Sequence, residues 1–176
     1  AGDGGGLFVY LKPGFTATVT NSVLQNNSAH EGGGVHVTGQ ARFIDSVISM
    51  NRASLGGGGV YSSSAHPILL VRCEVSENLA FLSGGGIRAS AVVVRESTFA
   101  NNRSDGRGGA INGATVEAYN STFSGNTAAY DGGAFYASAK VTINRSTITD
   151  NEAGRRGGGI YTVTGSLQGS IVADNR

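Results

Sequence analysis

The chain is poor in the residues that mark several classes of protein. Its 176 residues include no tryptophan, one methionine, two prolines and one cysteine. A lone Cys73 excludes a framework of intramolecular disulfides. The longest apolar runs, such as Ile68–Val71, are far too short to cross a bilayer, so we expect no direct insertion into a membrane.

Charge is sparse and balanced as well. The 13 lysines and arginines and the 12 aspartates and glutamates are mostly scattered singly and leave a formal net charge of +1. A protein that binds nucleic acid usually carries a clustered basic surface, and a peripheral membrane anchor carries a polybasic run. Neither pattern is present in the sequence, so we expect no nucleic acid as a partner.

A regular repeat occupies nearly the whole sequence. Seven asparagines recur 24 to 27 residues apart, namely Asn27, Asn51, Asn78, Asn102, Asn126, Asn151 and Asn175. Self-similarity of this period is typical of a solenoid, in which each unit buries its apolar face only against its neighbours. We therefore expect residues 1–176 to form a single repeat domain. Because both ends fall within a repeat, we also expect this domain to be a segment of a longer protein.

Other residue types repeat in step with the asparagines. Apolar residues stand three and eight positions upstream, serine or Cys73 stands five positions upstream, and a glycine-rich triplet closes each unit. Polar residues alternate with these inward positions, as a strand with one buried face requires. The pattern predicts an all-β fold, a right-handed parallel β-helix of about seven coils with uncapped ends. Each coil would hold roughly 24 residues in three short strands.

The repeated asparagines are expected to be structural. Asparagine tolerates the left-handed backbone of a tight turn, and its side-chain amide bonds neighbouring backbone groups. In stacked coils the seven amides would lie over one another and form a ladder along the axis. The glycines are expected where φ is closed to other residues or where neighbouring coils approach closely.

Two motifs recur together in each unit, and Phe99-Ala-Asn-Asn102 followed by Gly108-Gly-Ala-Ile111 is the clearest copy. They resemble the paired FxxN and GGA(I/L/V) motifs of the chlamydia-type polymorphic outer-membrane protein repeats, and the resemblance extends over residues 4–176. It implies a right-handed parallel β-helix. It also implies the exposed part of a surface protein, often an adhesin, and hence an extracellular or cell-surface location.

Charged residues in one outward column are the strongest candidates for catalysis. Asp45, Arg72 and Glu96 occupy the same position in successive units, which places the two carboxylates about 9.6 Å apart, near the upper limit for an inverting acid and base pair. A column that alternates in sign is more simply a cross-coil ion ladder. We therefore expect no enzyme activity, no catalytic residue and no cofactor. A polysaccharide-acting lyase or glycoside hydrolase stays open as an alternative.

Metal chemistry has little support in the sequence. His30, His36 and His66 do not repeat, and no further ligand stands near them at a spacing typical of metal sites. The glycine triplets also lack the Gly-x-Asp continuation of calcium-binding glycine repeats. We therefore expect the histidines to be ordinary surface residues and predict no metal site.

One outward column carries the best candidate binding residues. It follows the glycine triplet and contains Phe8, His36, Tyr61, Arg88, Asn112, Tyr136 and Tyr161. Of these, Tyr61, Arg88, Tyr136 and Tyr161 suit contact with sugar rings or a protein surface, although cross-strand packing of tyrosines explains the same pattern. The sequence thus predicts a non-enzymatic structural or adhesive segment that presents this face and its adjoining loops to a protein or glycan. Lateral or end-to-end assembly, with neighbouring chains capping the open ends, is the other alternative.

Overall fold

The computed structural model describes residues 2–176, which form strands and turns. Twenty-four strands follow one another along the chain and associate into three parallel sheets of 11, 7 and 6 strands. Among the described residues no helix is long and apolar enough to cross a membrane. The predicted all-β parallel β-helix is confirmed.

The first four coils contain four strands each, the fifth and sixth contain three, and the seventh contains two. In chain order the strands are β1 Leu7–Val9, β2 Thr16–Thr20, β3 Val23–Gln25, β4 Ser28–Ala29, β5 Val35–Val37, β6 Gln40–Ile44, β7 Val47–Ser49, β8 Arg52–Ala53, β9 Val60–Ser62, β10 Ile68–Val71, β11 Glu74–Ser76, β12 Leu79–Ala80, β13 Ile87–Arg88, β14 Ala91–Arg95, β15 Thr98–Ala100, β16 Arg103–Ser104, β17 Ile111–Tyr119, β18 Thr122–Ser124, β19 Thr127–Ala128, β20 Phe135–Asn144, β21 Thr147–Thr149, β22 Glu152–Ala153, β23 Ile160–Gln168 and β24 Ile171–Ala173. In the fifth to seventh coils one long strand, β17, β20 or β23, replaces the two strands that open each earlier coil.

Successive coils lie in register with one another. In the 7-stranded sheet β15 lies between β11 and β18, and Phe99 is paired with Val75 on one side and with Phe123 on the other. Neighbouring parallel strands are about 4.8 Å apart. Residues one repeat apart in the sequence therefore lie directly over one another, as the period predicts.

Apolar side chains fill one continuous core along the axis. Phe99 and Phe123 are fully buried, and their rings stack with centroids 5.0 Å apart, while Phe135 meets Phe123 edge-on at 4.4 Å. Aromatic pairs in these geometries stabilise a core beyond the area that they bury. In the seventh coil Leu167 and Val172 belong to the same inward columns but are exposed, because no described coil covers them.

The asparagine ladder is confirmed, and Asn102 shows its pattern. Its side-chain amide donates to the Val75 carbonyl at 2.8 Å and to Oδ1 of Asn126 at 2.9 Å. Its own Oδ1 accepts the backbone N–H of Asn78 at 3.2 Å and the side-chain amide of Asn78 at 2.9 Å. The same amide-to-Oδ1 contact joins every neighbouring pair from Asn27 to Asn175. Each buried amide is thus satisfied by the coils on either side.

The left-handed backbone does not fall on the ladder asparagines, so that part of the prediction is wrong. Outside the glycine triplets, positive φ angles recur at two corners of each coil, the residue just before the ladder asparagine and the residue six positions before it. The first corner holds Asn26, Met50, Glu77, Asn101, Gly125, Asp150 and Asp174, and the second holds Asn21, Asp45, Arg72, Glu96, Asn120, Arg145 and Gly169. The ladder hydrogen bonds hold these corners in a conformation that side chains such as methionine rarely adopt.

The inward serine column forms a second ladder of hydrogen bonds. The Ser121 hydroxyl accepts the backbone N–H of Ser97 at 3.1 Å and donates to the Tyr119 carbonyl at 2.7 Å. Cys73 occupies one position of this column, and its thiol donates to the Val71 carbonyl. Burial raises the pKa of the Cys73 thiol, so the side chain stays protonated and neutral at neutral pH.

Glycine is required in the triplets for two separate reasons, which Gly84 and Gly85 illustrate. Gly84 has φ of 65°, in the left-handed region that favours glycine. Gly85 faces the next coil, where a Cβ would overlap the carbonyl oxygen of Gly109 and lie 2.6 Å from the carbonyl carbon of Arg103. The close approach of successive coils at this turn therefore excludes any side chain at Gly85.

Candidate functional site

The outward column that follows the glycine triplet forms one continuous row, which we call the ridge. Strand pairing places its members in neighbouring coils in the order Phe8, His36, Tyr61, Arg88, Asn112, Tyr136 and Tyr161. The structure brings the four predicted binding residues onto this one face. Tyr61 and Arg88 are neighbours, Tyr136 and Tyr161 are neighbours, and Asn112 separates the two pairs.

Arginines cover the two tyrosines at one end of the ridge. The rings of Tyr136 and Tyr161 are parallel, with centroids 5.2 Å apart and planes 1° apart. The guanidinium carbon of Arg107 lies 4.9 Å from the Tyr136 centroid, and that of Arg156 lies 4.8 Å from the Tyr161 centroid. Arg107 Nη1 also donates to the Tyr136 hydroxyl at 3.3 Å. The four side chains form one stacked unit held by ring contacts and cation–π attraction.

A buried carboxylate fixes both of these arginines. Asp131 is 1% exposed, and its two oxygens pair with Nε of Arg156 at 3.0 Å and Nε of Arg107 at 3.3 Å. The hydrogen bonds that Arg156 donates to Asp131 raise the pKa of Arg156, which stays cationic. The arginine side chains remain 50% and 63% exposed. Sequence reasoning placed Asp131 and Arg107 in the loops beside this face but gave neither a role, although both stand directly before a glycine triplet, in a position that recurs in every coil.

The other end of the ridge is more enclosed. The Arg88 guanidinium carbon lies 5.6 Å from the Tyr61 centroid, and the His36 ring meets Tyr61 edge-on at 4.9 Å. Burial raises the pKa of the Tyr61 hydroxyl, and the nearby negative charge of Glu31 raises it further. Tyr61 therefore stays neutral over the physiological range, and its hydroxyl keeps the proton of a hydrogen-bond donor.

A shallow groove runs along each side of the ridge. The larger groove, of about 710 Å³, lies on the loop side and is lined by Phe81, Leu82, Ser83, Arg88, Asp105, Gly106, Arg107, Asn112, Tyr130, Tyr136 and Arg155. The smaller, of about 430 Å³, lies on the other side and shares Arg88, Asn112 and Tyr136 with it. Ridge residues therefore form the common wall of both grooves. In the larger groove Arg155 also covers the ring of Tyr130, at 4.5 Å.

The charged column that sequence reasoning considered for catalysis is a corner of the coil. Arg72 donates to both oxygens of Asp45, at 2.7 and 2.8 Å, so the expected cross-coil ion ladder forms at the step between Asp45 and Arg72. The Arg72 hydrogen bonds lower the pKa of Asp45. A general acid for glycoside hydrolysis requires the opposite shift. Asp45, Arg72 and Glu96 all line one open depression of about 510 Å³.

The histidines do not share one environment. His66 is exposed and contacts the Ser64 hydroxyl at 2.8 Å, and His30 is exposed as well. His36 is buried, because the rings of Phe8 and Tyr61 pack against it from the two neighbouring coils. The prediction that all three are ordinary surface residues is therefore wrong for His36.

Comparison with known protein families gives two matches. The family model described as "Right handed beta helix region" matches residues 3–134. The model described as the Chlamydia polymorphic membrane protein repeat matches residues 145–163, a segment that contains the ladder residue Asn151 and the following glycine triplet. Searches among curated proteins and among solved structures give no significant match.

Proposed function

Because the chain belongs to the family of right-handed β-helices, we propose that it is a non-enzymatic segment of a cell-surface protein and that its ridge binds an anionic glycan. The observation that carries this proposal is the row of arginine-covered tyrosines, which is held rigidly and remains open to solvent. The match of residues 145–163 to a membrane-protein repeat supports the surface location.

The scaffold suits presentation of a fixed binding face. Successive coils are joined by the asparagine ladder, by hydrogen bonds of the serine column and by parallel sheet pairing. Ridge residues are therefore held at the spacing of neighbouring strands, about 4.8 Å. From Tyr61 to Tyr161 the row spans four such steps, about 19 Å. An extended chain of sugars with a regular repeat would meet equivalent groups along this length.

The chemistry of the ridge favours a ligand that carries negative charge. A guanidinium presents a planar set of donors that matches carboxylate and sulfate oxygens. Arg88, Arg107 and Arg155 line the larger groove together with one carboxylate, Asp105, which already pairs with Arg103 at 2.9 Å. The groove therefore has an excess of positive charge. Tyrosine rings beside these donors add flat apolar surface for the hydrocarbon face of a sugar.

The absence of catalysis is the second part of the proposal. Asp45 is held ionised by Arg72, so it does not serve as the proton donor of a glycosidase. The depression that it shares with Glu96 is wide and open rather than a cleft that would exclude water. A polysaccharide-acting enzyme therefore has less support than a binding segment.

Binding measurements on immobilised polysaccharides test the proposal. We expect heparin or polygalacturonate to bind and neutral dextran not to bind, with affinity falling as salt is added because the contacts are ionic. Arg88→Ala and Tyr136→Ala are each expected to weaken binding at least about tenfold. Arg95→Ala is the matched control, since Arg95 covers Tyr119 at 4.8 Å outside the ridge.

Four outcomes would count against the proposal. The first is a wild-type protein that binds none of the anionic polysaccharides, and the second is an equal loss of binding with Arg95→Ala. The third is shortening of the polysaccharide by the purified protein, abolished by Glu96→Gln, which would restore the enzyme alternative. Stronger binding of poly-glutamate than of either polysaccharide would assign an acidic protein partner instead.

A further inference from the structure

The position directly before each glycine triplet forms a charged column with two different ends. In coil order it holds Asp3, Glu31, Gly56, Ser83, Arg107, Asp131 and Arg156. At one end the charges alternate, and Asp131 pairs with an arginine on each side. At the other end two carboxylates occupy adjacent coils, since the backbone N–H of Gly4 donates to the Glu31 carbonyl at 2.9 Å. Two carboxylates in adjacent coils repel each other unless a cation lies between them.

A buried imidazole points into this second end. His36 is 5% exposed, and its Nδ1 is a buried atom without a hydrogen-bond partner among the described residues. The nearest carboxylate oxygen, Oδ2 of Asp3, is 3.8 Å away, which is too far for a hydrogen bond. Leaving a buried polar atom unpaired is costly, so an unpaired nitrogen facing two carboxylates requires a physical explanation.

We propose that Asp3, Glu31 and His36 bind a divalent transition-metal ion, with Zn²⁺ the best match. One ligand atom from each of the three residues lies within 4.8 Å of the others. A tetrahedral Zn²⁺ site separates its nitrogen and oxygen ligands by about 3.4 Å. The Asp3 and Glu31 side chains would have to rotate to reach this spacing, and the Asp3 side chain is 39% exposed.

The donor set distinguishes between kinds of cation. An imidazole nitrogen beside two carboxylates suits Zn²⁺ and its neighbours in the transition series, whereas Ca²⁺ and Mg²⁺ prefer oxygen ligands throughout. His30 lies beside this cluster, with its Nδ1 3.7 Å from Oδ1 of Asp3, but the three mutually close ligand atoms belong to Asp3, Glu31 and His36. The cation would explain both anomalies, because it neutralises the stacked carboxylates and gives Nδ1 of His36 a partner.

The site would also link two coils. Asp3 precedes the first glycine triplet, whereas Glu31 and His36 lie on either side of the second. A metal held by all three therefore fastens the first coil to the second at this end of the β-helix. A metal ion that binds the folded chain but not the unfolded chain stabilises the fold by mass action. We therefore expect Zn²⁺ to raise the melting temperature.

Titration calorimetry of the whole chain with Zn²⁺ tests the proposal, with Co²⁺ absorption as a second readout of ligand geometry. We expect one ion per chain and a rise in melting temperature on adding Zn²⁺. Asp3 is exposed and Glu31 is half-buried, and the near-isosteric changes Asp3→Asn and Glu31→Gln are each expected to weaken binding at least about tenfold. His36→Phe is expected to abolish binding while keeping the ring packing, because phenylalanine and tyrosine occupy the same column in neighbouring coils.

His66→Asn is the matched control, since His66 is exposed and lies outside the cluster, and it should bind Zn²⁺ as the wild type does. The proposal is overturned if the wild-type chain fails to bind Zn²⁺ at millimolar concentration. It is equally overturned if Glu31→Gln or His36→Phe retains wild-type affinity. Preference for Ca²⁺ over Zn²⁺ would overturn the assigned chemistry.

Discussion

Replacing Asn102 with alanine is expected to lower the free energy of unfolding by about 4 kcal/mol. The change removes four hydrogen bonds from a fully buried position. It leaves the backbone N–H of Asn78 without an acceptor and takes a donor from the Val75 carbonyl, and each buried orphan costs about 1–3 kcal/mol. Urea denaturation followed by circular dichroism measures the difference.

The neighbouring residue provides the control for this experiment. Asn101 lies outside the ladder but has φ of 55°, so alanine there carries the cost of a left-handed backbone, about 1 kcal/mol. Glycine relieves that cost, and the equivalent residue one coil later is Gly125. We therefore expect Asn101→Gly to leave stability nearly unchanged. Losses of similar size from Asn102→Ala and Asn101→Gly would contradict the ladder as a main source of stability.

A methyl group at Gly85 is expected to destabilise the fold by at least about 3 kcal/mol. The new Cβ of Gly85→Ala would meet the backbone of two residues in the next coil, Arg103 and Gly109, rather than a movable side chain. Both are held by backbone hydrogen bonds between coils. The overlap is therefore relieved only if the two coils separate, which breaks the backbone hydrogen bonds between them. The same denaturation experiment measures the loss, and a failure to obtain folded protein agrees with it.

Gly165→Ala is the control for the methyl group itself. A Cβ at Gly165 meets the Thr162 methyl at 3.3 Å and the Val141 carbonyl oxygen at 3.7 Å. The closer of these two atoms belongs to a side chain, so it can shift without moving the backbone. We expect a change of less than about 1 kcal/mol at this position. Equal stability of Gly85→Ala and the wild type would contradict the close approach of the coils at the glycine turns.

Much of the fold follows from the sequence because, in a solenoid, residues one repeat apart in the sequence lie directly over one another in the structure. Once Phe99 and Phe123 occupy equivalent positions in successive units, their stacking follows from the register, and so does the column of Tyr61, Arg88, Tyr136 and Tyr161. The asparagine ladder is predictable for the same reason. A buried amide that repeats once in every coil always has another amide above and below it.

The rest depends on contacts that the period does not encode. The left-handed corners could not be predicted from residue type, because residues such as Met50 and Arg72 adopt positive φ only when the ladders constrain the backbone there. His36 occupies an outward column, and its burial comes from the particular aromatic neighbours in that column. Asp131 stands in a variable loop, and its role depends on arginines one coil away on both sides.

Disulfide formation between outward positions tests most directly the claim that equivalent residues stack one per coil along the ridge. In a Cys73→Ser background, Asn112→Cys with Tyr136→Cys places two thiols on paired residues about 4.8 Å apart, within the range of a disulfide. Arg88→Cys with Tyr136→Cys places them two coils apart, at about 9.6 Å. The account predicts that mild oxidation joins the first pair and leaves the second reduced. Joining of the second pair, or failure of the first in folded protein, would contradict it.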